Sequence, residues 1–283
     1  MMEMSSGVAT MLLQVSVDLH EAAKRRLRRA VNTIATESEK QLAVVFVREG
    51  MAFVRLFSKL RDRFPETDVQ EAVLDADEWV RLLVIAQAGI ASDKRAVIAT
   101  GITGALAIGG QGVLNEMGLG VQFSLANPRA AEYVAFRGAQ LVSSVDETTR
   151  GYIRTVIHQG TSEGWSYNRM ADAITARYKE FAVGRPQEHI DSRAHLIAVT
   201  ETAMAYEEGG AIAARDIEHG GLLMEKSWLT VGDSRVSAEC QSNQAAGWIP
   251  VDSAFPSGDG NPPAHPACRC TALYQRKGKE EVV

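Results

Sequence analysis

Apolar side chains recur at helical spacing through most of the first 220 residues. Across residues 10–64 the run Leu12, Leu13, Val17, Leu19, Ala23, Leu27, Ala30, Val31 and Ile34 predicts helix. A second run, Leu42 to Phe64, carries Val45, Phe46, Phe53, Val54, Phe57 and Leu60 before Pro65 stops it. Its Phe46, Phe53 and Phe57 face is read either as core or as a docking surface. Thr67 to Ala91 repeats the pattern with Val69, Val73, Leu74, Trp79, Val80, Leu82 and Leu83. The glycine-rich stretch Gly101 to Gly120 then predicts a buried helix giving way to a loop, with Gly109-Gly110-Gln111-Gly112 as a flexible joint or a close helix approach.

Ser144-Val-Asp-Glu147 has the form of a capping box, which predicts a new helix through Thr148, Thr149, Ile153, Val156 and Ile157 ending at Gly160. Ser166 can cap the next helix, with Met170, Ala173, Ile174 and Tyr178 inward, until Gly184-Arg185-Pro186 breaks it. A further helix is expected from His189 to Glu208, kinked or ended by Gly209-Gly210 and continued over Ala211 to His219.

After Gly220-Gly221 the period changes from helical to alternating. Ser227 to Val231, Trp248 to Phe255 and Cys270 to Tyr274 read as short strands, with Pro250 restricting the second to an edge. The fold class is therefore α+β: a mostly helical N-terminal body over residues 1–120, then residues 121–283 with a small α+β module of short strands at about 222–275.

Composition narrows the function. With 46% hydrophobic and 23% charged residues the chain can bury a real core. A net charge of -5 argues against a general nucleic-acid coat. The basic run Lys24 to Arg29 reads as a solvated helix face, and salt-sensitive contact with DNA is its sharper alternative. That run follows the apolar N-terminal patch, the reverse of a secretory signal. Ala96 to Asn115 is about 20 residues without a charge, near the spanning length, but it is rich in Gly and Thr, and no membrane is expected.

The chain's 3 cysteines, Cys240, Cys268 and Cys270, all fall late, and His265 precedes Cys268 by one turn. This N/S set suits tetrahedral zinc of the structural kind. A disulfide from Cys240 and three free buried thiols are the other readings. In an extended strand Cys268 and Cys270 would stand about 6.6 Å apart at Cα, so one ion can hold both only if the chain bends there. Asp233 and Arg235, beyond the Trp228 strand, suit a loop-holding pair; a catalytic acid would need a second carboxylate or a nucleophile–base pair nearby. Glu201 is a solvated helix carboxylate or an inward anchor for the C-terminal module.

These residues together resemble the phage Mu F-like head morphogenesis (minor head protein) family. Asp146-Glu-Thr-Thr149, Gly164 and Ser166 are similar to its helical lead-in, and Thr200-Glu201-Thr202 to its Thr-Glu helix. Trp228, Asp233, Arg235, Phe255, Pro262-Pro263 and His265-Pro-Ala-Cys-Arg-Cys270 resemble its later marks, so the likeness covers roughly residues 120–275. Val199 stands where members often have Arg, and a cysteine common near Ser237 and Ala238 is missing. The resemblance implies a non-enzymatic minor head protein of a tailed bacteriophage, residing in the virion at the head interior or portal vertex and assembled in the host cytoplasm. It implies contact with the portal protein, with scaffold or major capsid protein, and with packaged DNA, in head morphogenesis and DNA packaging or ejection. The competing class is an enzyme or toxin-delivery module with an ADP-ribosyltransferase-like or metal-dependent hydrolase site built on Glu201; neither HExxH nor a paired-carboxylate motif is present.

Overall fold

The computed structural model describes residues 20–61, 76–163, 165, 169, 172–178, 193–266 and 268–278. Expectations at Leu12 to Leu19, Pro65, Thr67 to Leu74, Gly164, Ser166, Met170, Gly184 to Pro186 and His189 lie outside the described residues. The fold is α+β. Helix α1 covers residues 20–30 and passes through a π-helical turn, Val31–Ala35, into α2, Thr36–Arg61. There follow α3 (Ala76–Glu116), α4 (Pro128–Ser162), α5 (172–178) and α6 (Arg193–His219). Strand β1 (Met224–Leu229), α7 (Ala238–Ala245), β2 (Trp248–Pro250) and β3 (Thr271–Arg276) complete it. The chain divides into two compact units, one of residues 1–36, 101–131 and 199–283 and the other of 37–100 and 132–198.

The second of these units is helical. Phe46 and Phe53 are wholly buried in its core, so they do not form a docking face; the side chain of Phe57 lies outside the described residues. Ile174 and Tyr178 of α5 are buried as their spacing predicts. A Cβ at Gly50 would lie 2.7 Å from the Tyr178 ring, so α2 needs glycine there. Ser144 does not start a helix. It lies inside α4, where its carbonyl accepts from Thr148 Oγ1 at 2.8 Å. Buried Leu141, Val142 and Val145 carry the apolar stripe straight through the capping-box sequence, and Glu147 pairs with Arg150 and Arg154 instead of reaching back.

The other unit holds the sheet. Its strand order is β2-β1-β3, both pairings antiparallel, so Pro250 lies on an edge as expected. Val113, Leu114, Ala211, Ala214, Ile217, Met224, Val251 and Tyr274 form one core cluster. The glycines of α3 and α6 end neither helix. A Cβ at Gly109 would strike the Tyr206 carbonyl, and one at Gly209 the Leu106 carbonyl. The helices cross backbone to backbone at this point, and packing overrides the low helix propensity of glycine. Of the two readings of Gly109-Gly110, the close approach is the one realised. Arg81–Glu116 is, among the described residues, long and apolar enough to cross a membrane by length and composition. Its Ile102, Ala105, Leu106 and Val113 are nevertheless buried against protein.

Candidate functional site

Strand β1 places Trp228 inward, where it meets Phe255 edge to face at 5.1 Å between ring centroids. Cys240, Cys268 and Cys270 pack on this pair, all three buried. Helix α7 delivers Cys240. Ser237 caps that helix, its hydroxyl accepting from the Cys240 amide at 3.2 Å. Cys268 and Cys270 precede β3 and are not part of an extended strand. A turn closed by Cys268 N to His265 O, 3.1 Å, lies immediately before them and places His265 and Cys268 on one bend of the chain.

The three sulfurs lie within 4.8 Å of one another, and Cys240 Sγ is 3.7 Å from Cys268 Sγ. A tetrahedral zinc with Zn–S near ~2.3 Å sets its sulfurs ~3.8 Å apart, so this spacing fits one ion. His265 Nδ1 bonds the Pro266 carbonyl at 3.0 Å, which leaves Nε2 as the acceptor nitrogen, 3.7 Å from Cys240 Sγ. That is the tautomer a metal-ligating histidine needs, although the close group is the three sulfurs alone and His265 approaches it only at Cys240. The buried indole N–H of Trp228 has no hydrogen-bond partner among the described residues, yet it lies near enough to Cys270 to favour its thiolate. An orphaned donor beside the sulfurs is explained if a bound metal holds them as thiolates. Donation from the Cys270 thiol, helped by the amides of Cys270 and Ala264, holds the Cys268 thiol down to about 5. Cys270 is pushed up, first by the same bond and then by burial, and Cys240 is pushed up by burial.

Asp233 holds the arginine between the two later cysteines. Its oxygens accept from Arg269 at 2.7 and 2.8 Å, and the Arg235 amide donates to it at 3.1 Å. The Arg235 guanidinium is more distant, at 3.7 Å. Asp233 thus fastens Arg269 in place of a close pair with Arg235, the partner expected from the sequence. The Arg269 bonds draw its carboxyl down to about 2.

Three clamps were not singled out in the sequence. Asn243, fully buried on α7, bonds Ser257 through both ends of its amide, at 2.8 and 3.0 Å. Lys226, buried on β1, donates to the Gly260 carbonyl at 2.6 Å and lies 5.3 Å from the Phe255 ring centre. Glu207 is the anchor from α6 to the sheet. It accepts from Thr271 Oγ1 at 2.5 Å and from the Ala272 amide at 2.9 Å, which satisfies one backbone donor of β3. Glu201, the residue given this role as one of two readings, lies half-buried earlier on the same helix. The signal for Glu207 was present: it falls on the buried stripe Ala203, Gly210, Ala211, Ala214.

Burial pushes the Glu207 carboxyl up to about 8, against the two bonds it accepts. Between its unfolded value near 4.5 and about 8 the folded chain holds a proton that the unfolded chain has released, so stability falls as pH rises through this window. Glu207→Gln, which keeps an acceptor for the Ala272 amide and cannot ionise, should flatten that part of a plot of denaturant midpoint against pH. An unchanged slope would exclude Glu207 as its source.

The family model described as Phage Mu protein F like protein matches residues 152–273. No curated protein and no solved structure matches the chain.

Proposed function

We propose, from the match of residues 152–273 to the phage Mu F-like family model, that this chain is a non-enzymatic minor head protein of a tailed bacteriophage, located at the head interior or portal vertex. The family match carries the reading. The geometry supports it in one respect: Trp228, Asp233, Phe255 and the cysteines, among the motif residues named from the sequence, lie in contacts that hold the module together. Trp228 packs on Phe255, Asp233 fastens Arg269, and the cysteines converge on that core. A module stapled in this way suits a binding role in head morphogenesis or DNA packaging, with portal and procapsid proteins as partners. Structural zinc held by Cys240, Cys268, Cys270 and His265 belongs to the same proposal, as the staple of that module. Zinc there would supply crosslinking, with thiolate ligands filling its coordination sphere.

The test is particle composition. The chain should co-purify with procapsids at a few copies per particle and bind purified portal protein in solution. Its absence from isolated procapsids and heads would overturn the assignment.

A further inference from the structure

Within the sheet-bearing unit, α1 and the C-terminal part of α3 flank a cleft of about 560 Å³, a volume typical of small-molecule sites. Arg26 and Arg29 stand one helical turn apart on one wall. Ile108, 46% exposed, and Phe123 lie on the apolar side. Tyr206 closes the floor.

The cleft is a built feature. Residues 117–127 connect α3 to α4, and Gln111 fixes this connection. Its Oε1 accepts from the Phe123 amide at 2.9 Å, and its Nε2 donates to the Val121 carbonyl at 3.2 Å and to Asn115 Oδ1 at 2.9 Å. The Phe123 ring lies directly over Gly110, where a Cβ would strike it. The phenylalanine is therefore held in place, and the Asn115 amide nitrogen is left to donate elsewhere.

Charge selects the ligand. Of the basic run, Lys24 pairs with Glu21 and Arg26 with Glu116. Arg29 makes no ion pair among the described residues. Glu116 is engaged by Arg26 just outside the cleft, so the lining is net cationic. One free guanidinium, a second alongside it, amide groups and an aromatic edge form a set that binds a phosphate at one end and a flat heterocycle at the other. Guanidinium suits phosphate. With Gln111 engaged, the Asn115 and Gln122 side-chain amides can meet the edge of adenine, and aromatic and apolar walls take its face. We propose that this cleft binds a nucleoside phosphate, either free or as the terminal nucleotide of a single strand. The site is independent of how the chain joins a head, and it can exist whether or not the assembly role holds.

Calorimetric titration of the full chain with AMP, adenosine and inorganic phosphate tests it. AMP should bind below millimolar, and adenosine and phosphate alone each at least about tenfold more weakly, since each loses one half of the contacts. Arg29→Glu should weaken AMP by more than about tenfold, while Arg28→Glu, exposed on the same helix but outside the cleft, should leave it unchanged. A 5′-phosphorylated oligo-dA that binds more tightly than AMP assigns the site to a DNA end; equal binding assigns it to free nucleotide. No saturable AMP binding at millimolar concentration, or equal loss in both arginine variants, would overturn the proposal.

Discussion

Cys268→Ser is expected to release the zinc proposed for this chain and to unfold the module from β1 to β3. Three short strands bury little surface, and a structure of that size commonly needs a staple. In the smallest zinc domains metal binding contributes roughly 10–16 kcal/mol of folding free energy, so removing one ligand has an effect far larger than one packing defect. Cys268 is central because it lies 3.7 Å from Cys240 and takes the bond from Cys270. His265→Ala should weaken metal without abolishing it, since His265 approaches only Cys240 closely, at 3.7 Å. Elemental analysis and native mass spectrometry should give about one zinc per wild-type chain and none in Cys268→Ser. Tryptophan fluorescence should report the loss, because Trp228 lies in the same cluster. Helical circular dichroism should largely remain. A metal-free wild-type chain of full stability would sink the proposal, and a mass two hydrogens light would point to the disulfide instead.

How much of this site was legible depended on the range of each interaction. The converging cysteines share one stretch of sequence, and the change of period after Gly221 marked the strands. Trp228, Phe255 and Asp233 were visible as motif residues, but the partner of Asp233 is Arg269, 36 positions away, and no spacing rule reaches that far. Helix α7 went unseen because it is eight residues long and buries only Cys240 and Asn243, too few positions to define a period. Its start signal, the Ser237 cap, is a single residue.

The start and stop signals that ended no helix share one cause. Ser144-Val-Asp-Glu147, Gly109-Gly110 and Gly209-Gly210 carry valid local signals for a start or a stop. Each lies inside a long helix whose buried stripe continues on both sides. A cap contributes about 1 kcal/mol and a glycine costs about as much, so several buried turns outweigh either. Glycine at the crossing of α3 and α6 is required by contact, and the same residue in sequence reads as a break.

Lys94→Met should be the most damaging substitution in the helical unit. Lys94 is 1% exposed and forms ion pairs with Glu49, 0% exposed, and with Asp146, 8% exposed. Glu49 Oε2 pairs with the Lys94 ammonium, while Oε1 accepts from Tyr178 at 3.0 Å. The Asp146 carbonyl accepts from Gln87 at 3.0 Å, and Gln87 accepts from Arg150 at 2.8 Å. Removing the ammonium leaves two carboxylates buried without their cation. Breaking a buried pair in this way costs about 3–5 kcal/mol, and in a chain of this size that lowers the melting temperature by roughly 10 °C. Replacing the whole set is different. Glu49→Leu, Lys94→Met and Asp146→Leu, with Tyr178→Phe to remove the hydroxyl that donates to Glu49, removes the three desolvated charges together and should be neutral or stabilising by about 1–4 kcal/mol. The two results together would show that these charges specify how α2, α3 and α4 register, since they do not maximise stability. Urea unfolding of the single and combined variants measures both. A Lys94→Met chain within about 1 kcal/mol of wild type would mean that the carboxylates reach water or take up protons, and the ion set would then not fix the register of these helices.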